Sequence, residues 1–397
     1  MVNISSTAGL LGVVIIARHG DRLGYYQDPC TYNATQSRIT PLGSVQEFEL
    51  GSFLRLQYLT PESPSFIEGI SSDLVDVNQV LVRADSGGEN VVLNSAYSLL
   101  QGLYPATTES SITLSNGKLV TGPLGGYQYV PVESVDVNEI PSLTSWQLCP
   151  YFQTHLNRTY TSTAFLQKAQ EAAPFLEAVK PYIGNISNNF TNMWNIFDYV
   201  NVQSIHNKTY AEELPPTFAA QAYDYANFHE YNVFTDYVSI GVGEIGVRTL
   251  LPSIFSDFGN ITEKSNPLKL VLTEVDYQPF ISLFNVTNAT LTDPDIAGIV
   301  DYAAVVALEL SENSDGQPSI SMKFKNGTND QDFRQLTMWG NTSVLVEDFV
   351  SQLASTTINT TQEWCFSCNQ TILRGCSIYN FSTDPFLNPG PPSKPGK

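Results

Sequence analysis

Val13-Val14-Ile15-Ile16-Ala17-Arg18-His19-Gly20-Asp21-Arg22 runs an apolar, β-branched stretch straight into two arginines that flank a histidine. Residues of the first kind favour a buried strand, and a strand ending on such a cluster can aim an imidazole at phosphorus. Phosphoryl transfer asks the protein for positioning and charge stabilisation more than for covalent chemistry. Guanidinium forks around a nucleophilic imidazole supply both. His19 is therefore the candidate nucleophile, with Arg18 and Arg22 as candidate phosphate ligands.

Downstream, Thr40-Pro41 offers an N-cap and an N1 proline, which predicts a helix after the first strand and a long loop. Gln79 to Arg83 reads as a strand, and Glu89 to Leu100 as a helix closed near Gly102. From about Ser142 to Asn232 strands nearly vanish and helical, aromatic text takes over, as in Phe165 to Val179 and Met193 to Val202. The alternation then resumes: Glu244 to Phe258 as helix, Leu268 to Thr273 as strand, Gln278 to Phe284 as a short helix, Ala303 to Leu310 as strand. The pattern predicts an α/β core in two parts, residues 1–141 and 233–386, interrupted by a mainly helical cap at 142–232 and followed by a disordered Pro/Gly tail at 387–397. Open α/β sheets bind ligands at the carboxyl ends of their strands. Arg18-His19, Arg83 and Asp276 each follow a strand-like run, so the three segments are expected to converge on one crevice.

Read together, the Arg18-His19-Gly20 motif, the segment Ile39-Thr40-Pro41-Leu42-Gly43 through Arg55, and the segment from Val82-Arg83 through Ser95-Ala96 to Tyr104-Pro105 resemble the histidine acid phosphatases. This is a branch of the phosphoglycerate-mutase-like superfamily. The resemblance implies a phosphoglycerate-mutase-like α/β core sheet flanked by helices, with a phosphohistidine formed on His19, phosphate held by Arg18, Arg22 and Arg83, and a leaving group protonated by Asp276. The family's second signature is a His-Asp pair; in Thr273-Glu274-Val275-Asp276 the aspartate is kept and Val275 stands where the histidine belongs. Valine neither donates a hydrogen bond nor carries charge, and losing a comparable electrostatic donor costs roughly 100- to 1000-fold in rate. Glu274 is a candidate secondary acid: were the strand extended through Asp276, the two carboxylates would share one face. The implied activity is hydrolysis of phosphate monoesters at acid pH, without cofactor or metal. The alternative is a catalytically impaired relative that binds a phosphorylated or other anionic ligand, or serves the cell surface.

With 397 residues and 42% hydrophobic content the chain can bury a large core. Its formal charge of −20 argues against nucleic acid or an anionic membrane as partner, and 19 Lys plus Arg are few for a polyanionic, phytate-like substrate. No window approaches the roughly 18 apolar residues of a membrane span. Leu10 to Ala17 lacks a basic flank and reads as the first strand, not as a signal peptide. Asn-x-Ser/Thr sequons recur from Asn3 to Asn380, a density that favours N-linked glycans and a secreted, extracellular or cell-wall-associated protein, the vacuole being the other destination. Five cysteines, Cys30, Cys149, Cys365, Cys368 and Cys376, then read as disulfides with one left over. The family resemblance implies Cys368 with Cys376, and Cys149 with another C-terminal cysteine. Cys365-x-x-Cys368 as half a zinc or redox site lacks a second Cys/His pair at ligand spacing. Gly241-Val242-Gly243-Glu244-Ile245-Gly246 matches a dinucleotide fingerprint, but without a compact βαβ unit around it. His229-Glu230, the one remaining His-acid dipeptide, is expected on a helix surface in the cap.

Overall fold

β1 (Gly12–Arg18) is buried along its whole length. Val13, Ile15 and Ala17 pack on one side of the sheet among Leu50, Leu54 and Leu99, while Val14 and Ile16 join Phe258, Val271 and Phe280 on the other. This computed structural model describes residues 9–381 apart from 36, 87–90 and 137. The 387–397 tail, the sequon at Asn3 and the start of the helix expected from Glu89 lie outside the described residues.

The other strands are β2 (Val80–Asp85), β3 (Ser111–Thr113), β4 (Leu119–Thr121), β5 (Glu133–Val135), β6 (Leu270–Val275), β7 (Val305–Glu312), β8 (Pro318–Lys325), β9 (Arg334–Leu336) and β10 (Ser343–Leu345). The main sheet runs in the order β10-β8-β7-β1-β6-β2-β5, with β9 added on β8; β3 and β4 form a separate hairpin. β1, β6, β2 and β5 are mutually parallel, so their carboxyl ends emerge at one edge. β7, β8 and β10 continue the sheet antiparallel on the far side of β1. The chain is thus α/β, as expected. Two helices, α1 (Pro41–Tyr58) and α2 (Val91–Leu103), cover one face. Thr40 caps α1 by accepting from the Gly43 amide, with Pro41 at the first turn. A Cβ on Gly20 or on Gly43 would collide with the other loop's backbone, so this glycine pair lets the motif loop lie directly on the start of α1.

Between β5 and β6 no described residue joins a sheet, and the helices Pro150–Tyr160, Thr163–Val179, Met193–His206 and Phe218–Val233 occupy that stretch. Tyr32, from the loop after β1, is fully buried among Trp194, Phe152 and Phe234, its ring 5.4–6.0 Å from theirs. The helices and the motif loop therefore share one aromatic core.

Several expectations need correction. The single helix expected from Glu244 to Phe258 is broken into short pieces, Val242–Glu244 and Ile245–Arg248, before Leu251–Thr262, because Pro252 has no N–H to continue the ladder. β8 is an unanticipated strand, although Ile320, Met322 and Phe324 alternate as a half-buried strand requires. The disulfides are Cys149–Cys368 and Cys365–Cys376, leaving Cys30 free and exposed. Cys149 does pair with a C-terminal cysteine, but Cys368 does not pair with Cys376: the helix Thr361–Cys368 turns Cys365 toward Cys376 and Cys368 toward Cys149.

Glu274 also departs from expectation. β6 alternates, so Leu270, Leu272 and Glu274 face α1 and α2, but the strand ends at Val275 and Asp276 leaves the pattern to meet His19 instead. There Glu274 meets Glu47 of α1; both are fully buried, and none of their four carboxylate oxygens has a hydrogen-bond partner among the described residues. Burial pushes the Glu274 pKa up to about 8. Burial and the neighbouring Glu274 raise Glu47 well above the ordinary carboxylate range. Acids whose folded pKa lies above the unfolded value stabilise the fold fully below about 4.5, and that stability is lost as pH rises through about 8. Melting temperature is therefore expected to fall between pH 5 and pH 9, and Glu274→Gln to flatten the slope, a tenfold difference in proton affinity between folded and unfolded chain being worth ~1.4 kcal/mol. A melting temperature that rises over this range in both proteins would contradict the assignment.

Candidate active site

Parallel pairing sets Arg18 beside Val275, so the next residues, His19 and Asp276, leave adjacent strand ends side by side. His19 is pinned by its backbone: its N–H donates to the Val275 carbonyl at 3.2 Å and its carbonyl accepts from Ala303 N–H at 3.2 Å. The side chain is 1% exposed, with Nε2 3.0 Å from Asp276 Oδ1. Nδ1 lies 2.8 Å from the Gly20 carbonyl, which can only accept, so Nδ1 carries a hydrogen and Nε2 is the free nucleophilic atom. One proton must then bridge Nε2 and Oδ1, because a bare imidazole lone pair and a carboxylate oxygen repel at that distance. Burial lowers the His19 pKa, opposed by Asp276 and helped by Arg18 and Arg22. For Asp276 burial acts upward, but the His19 hydrogen bond and the charges of His19, Arg22 and Arg18 hold it below the ordinary value.

Both motif arginines stand at this imidazole, 5% and 2% exposed. Arg22 Nη2 donates to Asp198 Oδ1 at 2.8 Å, and its guanidinium lies over the Tyr25 ring at 4.5 Å. Arg18 donates to the Val300 carbonyl and stacks on Tyr302 at 4.6 Å and Tyr277 at 5.2 Å. The Nε donors of both arginines are buried without a partner among the described residues. Two orphaned guanidinium N–H groups beside an oriented imidazole are what a phosphate oxygen would satisfy. A polar hollow of ≈ 170 Å³ leads toward Arg18 between Asp198, Asn201, Asp301 and Asn329. Tyr302 lines this hollow with its ring 5.6 Å from the His19 ring, so the imidazole sits behind the tyrosine.

Arg83 does not join the cluster, contrary to expectation. β2 runs on to Asp85, and Arg83 pairs with Thr273, two residues short of the strand end. Its side chain turns to the helix Leu251–Thr262, where Nη1 and Nη2 donate to both oxygens of Asp257 at 2.8 and 3.1 Å, and Nε to Glu133 at 3.3 Å. A guanidinium so engaged has no fork left for phosphate. Val275 is buried and gives the site no donor.

Residues without a sequence signal complete the surroundings. The helix Met193–His206 grips the motif loop at three points: Asp198 accepts from the Tyr25 amide at 3.0 Å as well as from Arg22, Asn195 accepts from the Gln27 amide at 3.1 Å and donates to its carbonyl at 2.8 Å, and His206 Nε2 lies 2.9 Å from Asp21 Oδ2. His229 and Glu230 are fully buried, correcting the helix-surface placement. His229 Nδ1 is 2.7 Å from Glu230, which also accepts at 2.6 Å from the hydroxyls of Tyr32 and Tyr277. Tyr277 in turn faces Arg18, so this network positions one wall of the site. Tyr302, Asp198 and Tyr25 could not be picked out beforehand, because nothing in their local text distinguishes them from other aromatic or acidic residues.

A parallel α/β edge carrying an imidazole between two guanidiniums defines a phosphoryl-transfer class of fold and site. The comparisons agree: residues 23–325 match the histidine phosphatase superfamily (branch 2), and the chain belongs to that family. Prostatic acid phosphatase of Bos taurus is 23% identical over 371 residues, covering 90% of this chain and 87% of that protein. Testicular acid phosphatase of Mus musculus is 24% identical over 345 residues, covering 80% and 73%. Among solved structures, the phytase of Citrobacter braakii superposes with a TM-score of 0.62 at 14% identity over 90% of this chain and 99% of that one, a likeness of fold. Family and relatives point to a histidine acid phosphatase, a phosphoric monoester hydrolase.

Arg83→Ala strands the buried Asp257 carboxylate and is expected to cost about 3 kcal/mol of stability while leaving vanadate affinity at His19 unchanged. Denaturant unfolding and calorimetry read the two effects separately; a large loss of vanadate affinity in a stable variant would return Arg83 to the anion site.

Proposed function

We propose that the chain hydrolyses phosphate monoesters through a phosphohistidine on His19, at a rate well below that of a complete site. The carrying observation is the pair of orphaned Arg18 and Arg22 Nε donors beside an imidazole oriented by the Gly20 carbonyl. In this reading Nε2 attacks phosphorus as the ester P–O bond breaks, and Asp276 delivers the bridging proton to the leaving oxygen. Water then attacks the phosphohistidine, Asp276 takes its proton, and phosphate leaves. Phosphorus must enter between Nε2 and Asp276, with about 3 Å to each reacting neighbour, so the 3.0 Å contact has to open first. The missing donor at Val275, the engagement of Arg83 by Asp257 and Glu133, and the cover of Tyr302 all weaken turnover.

The pH dependence follows from the same groups. The depressed His19 pKa keeps its imidazole unprotonated further into the acid range than an ordinary histidine. The depressed Asp276 must be protonated to serve as acid, so the rate is expected to climb as pH falls from 7 toward 3. Two disulfides and ten exposed sequon asparagines support an extracellular, glycosylated protein. Asn285 is an exception, its amide donating inward to Glu244 at 2.6 Å. Among the described residues no helix is long and apolar enough to cross a membrane.

The closed His19–Asp276 contact favours a second reading, an anion-binding relative without appreciable turnover. Hydrolysis of a chromogenic phosphomonoester from pH 3 to 7 decides between them. The first reading expects slow hydrolysis that His19→Ala abolishes and that Val275→His raises roughly 100-fold or more. Equal background rates in the parent and His19→Ala leave only the binding role, tested by vanadate calorimetry.

A further inference from the structure

A second, much larger cavity of ≈ 1140 Å³ opens far along the chain from His19, between the helix Pro150–Tyr160, the 240–242 turn and the segment entering the helix Thr361–Cys368. Ile240, Val242, Ile358 and Phe366 give it largely apolar walls. One wall also carries Arg248, a cation only 8% exposed. Its Nε donates to the Thr356 carbonyl at 2.8 Å and its Nη1 to the Gly241 carbonyl at 3.3 Å, so the guanidinium ties two sides of the cavity together. Nη2 has no hydrogen-bond partner, and no carboxylate forms an ion pair with Arg248, among the described residues.

The nearby acids are committed elsewhere. Asp236 pairs with Arg158 at 3.2 Å. Glu363 accepts from the Asn359 amide at 2.6 Å in a helix cap. Glu244 Oε1 accepts from the Asp236 amide and from Asn285, and although its buried Oε2 has no partner among the described residues, burial pushes its pKa up to about 8, so at acid pH it is neutral and gives Arg248 no counter-charge. Burial lowers the guanidinium to a pKa of about 10, which leaves it charged at acid and neutral pH. A buried charge without a counter-ion is costly, and an apolar pocket with one fixed polar group selects ligands by orientation.

We propose that this cavity binds one molecule of an amphipathic monocarboxylate, its carboxylate on Arg248 and its apolar body against Ile240, Val242, Ile358 and Phe366. A phosphate ester fits worse, since Arg248 offers a dianion one free guanidinium edge and the other lining guanidinium, Arg158, is already paired with Asp236. Ile240, 53% exposed, carries the apolar lining out to the surface.

Calorimetric titration of the intact chain with dodecanoate, dodecanol and dodecyltrimethylammonium, each below its micelle-forming concentration, tests this. Dodecanoate is expected to bind at one site per chain, dodecanol about tenfold more weakly, and the cation not at all; His19→Ala binds dodecanoate as the parent does. Arg248→Gln should bring dodecanoate down to the level of dodecanol. Arg248 also braces the backbone, so Ala354→Trp, which fills the mouth from an exposed position, is the second variant and should abolish binding. Equal binding of all three amphiphiles, more than one molecule per chain, no binding, or an Ala354→Trp variant that binds like the parent would overturn the proposal.

Discussion

The parallel register of β1 on β6 is the constraint from which the site follows. Pairing Arg18 with Val275 leaves the next residue of each strand no choice of neighbour, and His19 and Asp276 meet across the gap between two chain ends. The register is held by apolar residues buried on both sheet faces, and a slip of one residue would turn every one of those side chains to the opposite face. Core packing and the acid-nucleophile contact are thus one specification.

The same economy explains why the site is closed. Buried guanidiniums demand compensation, and this molecule provides it internally: Asp198 for Arg22, the Val300 carbonyl and two tyrosine faces for Arg18, Asp257 and Glu133 for Arg83. What remains uncompensated is small, two Nε donors, and it sits where an oxyanion would complete it. A site built this way trades anion affinity against its own stability, because each internal partner is one that a substrate must displace or do without.

Much of this was legible in the residues. The strand into Arg18-His19, the capped helix at Thr40-Pro41 and the strand before Asp276 carry local signals strong enough to read: β-branched runs, an N-cap with an N1 proline, and abrupt polar ends. Arg83 misled because the end of β2 has weak punctuation; Ala84-Asp85 continues the pairing, and two residues along a strand are enough to move a side chain out of a site. Glu274 misled in the opposite way, since alternation was right but the strand stopped at Val275, freeing Asp276 from the pattern. Asp198, His206 and Tyr302 were invisible because their roles arise from contacts spanning much of the chain, which no short window contains.

The cysteine bridges close this chain upon itself in two overlapping loops. Cys149 to Cys368 spans 219 residues and encloses both the helical stretch and the strand that delivers Asp276, while Cys365 to Cys376 ties the following segment to the same helix. A protease that nicks an exposed loop between Cys149 and Asp276 leaves two pieces joined by a covalent staple. The nucleophile, on the segment before Cys149, and the acid, on the segment after, would then travel together as one particle until a reductant separates them.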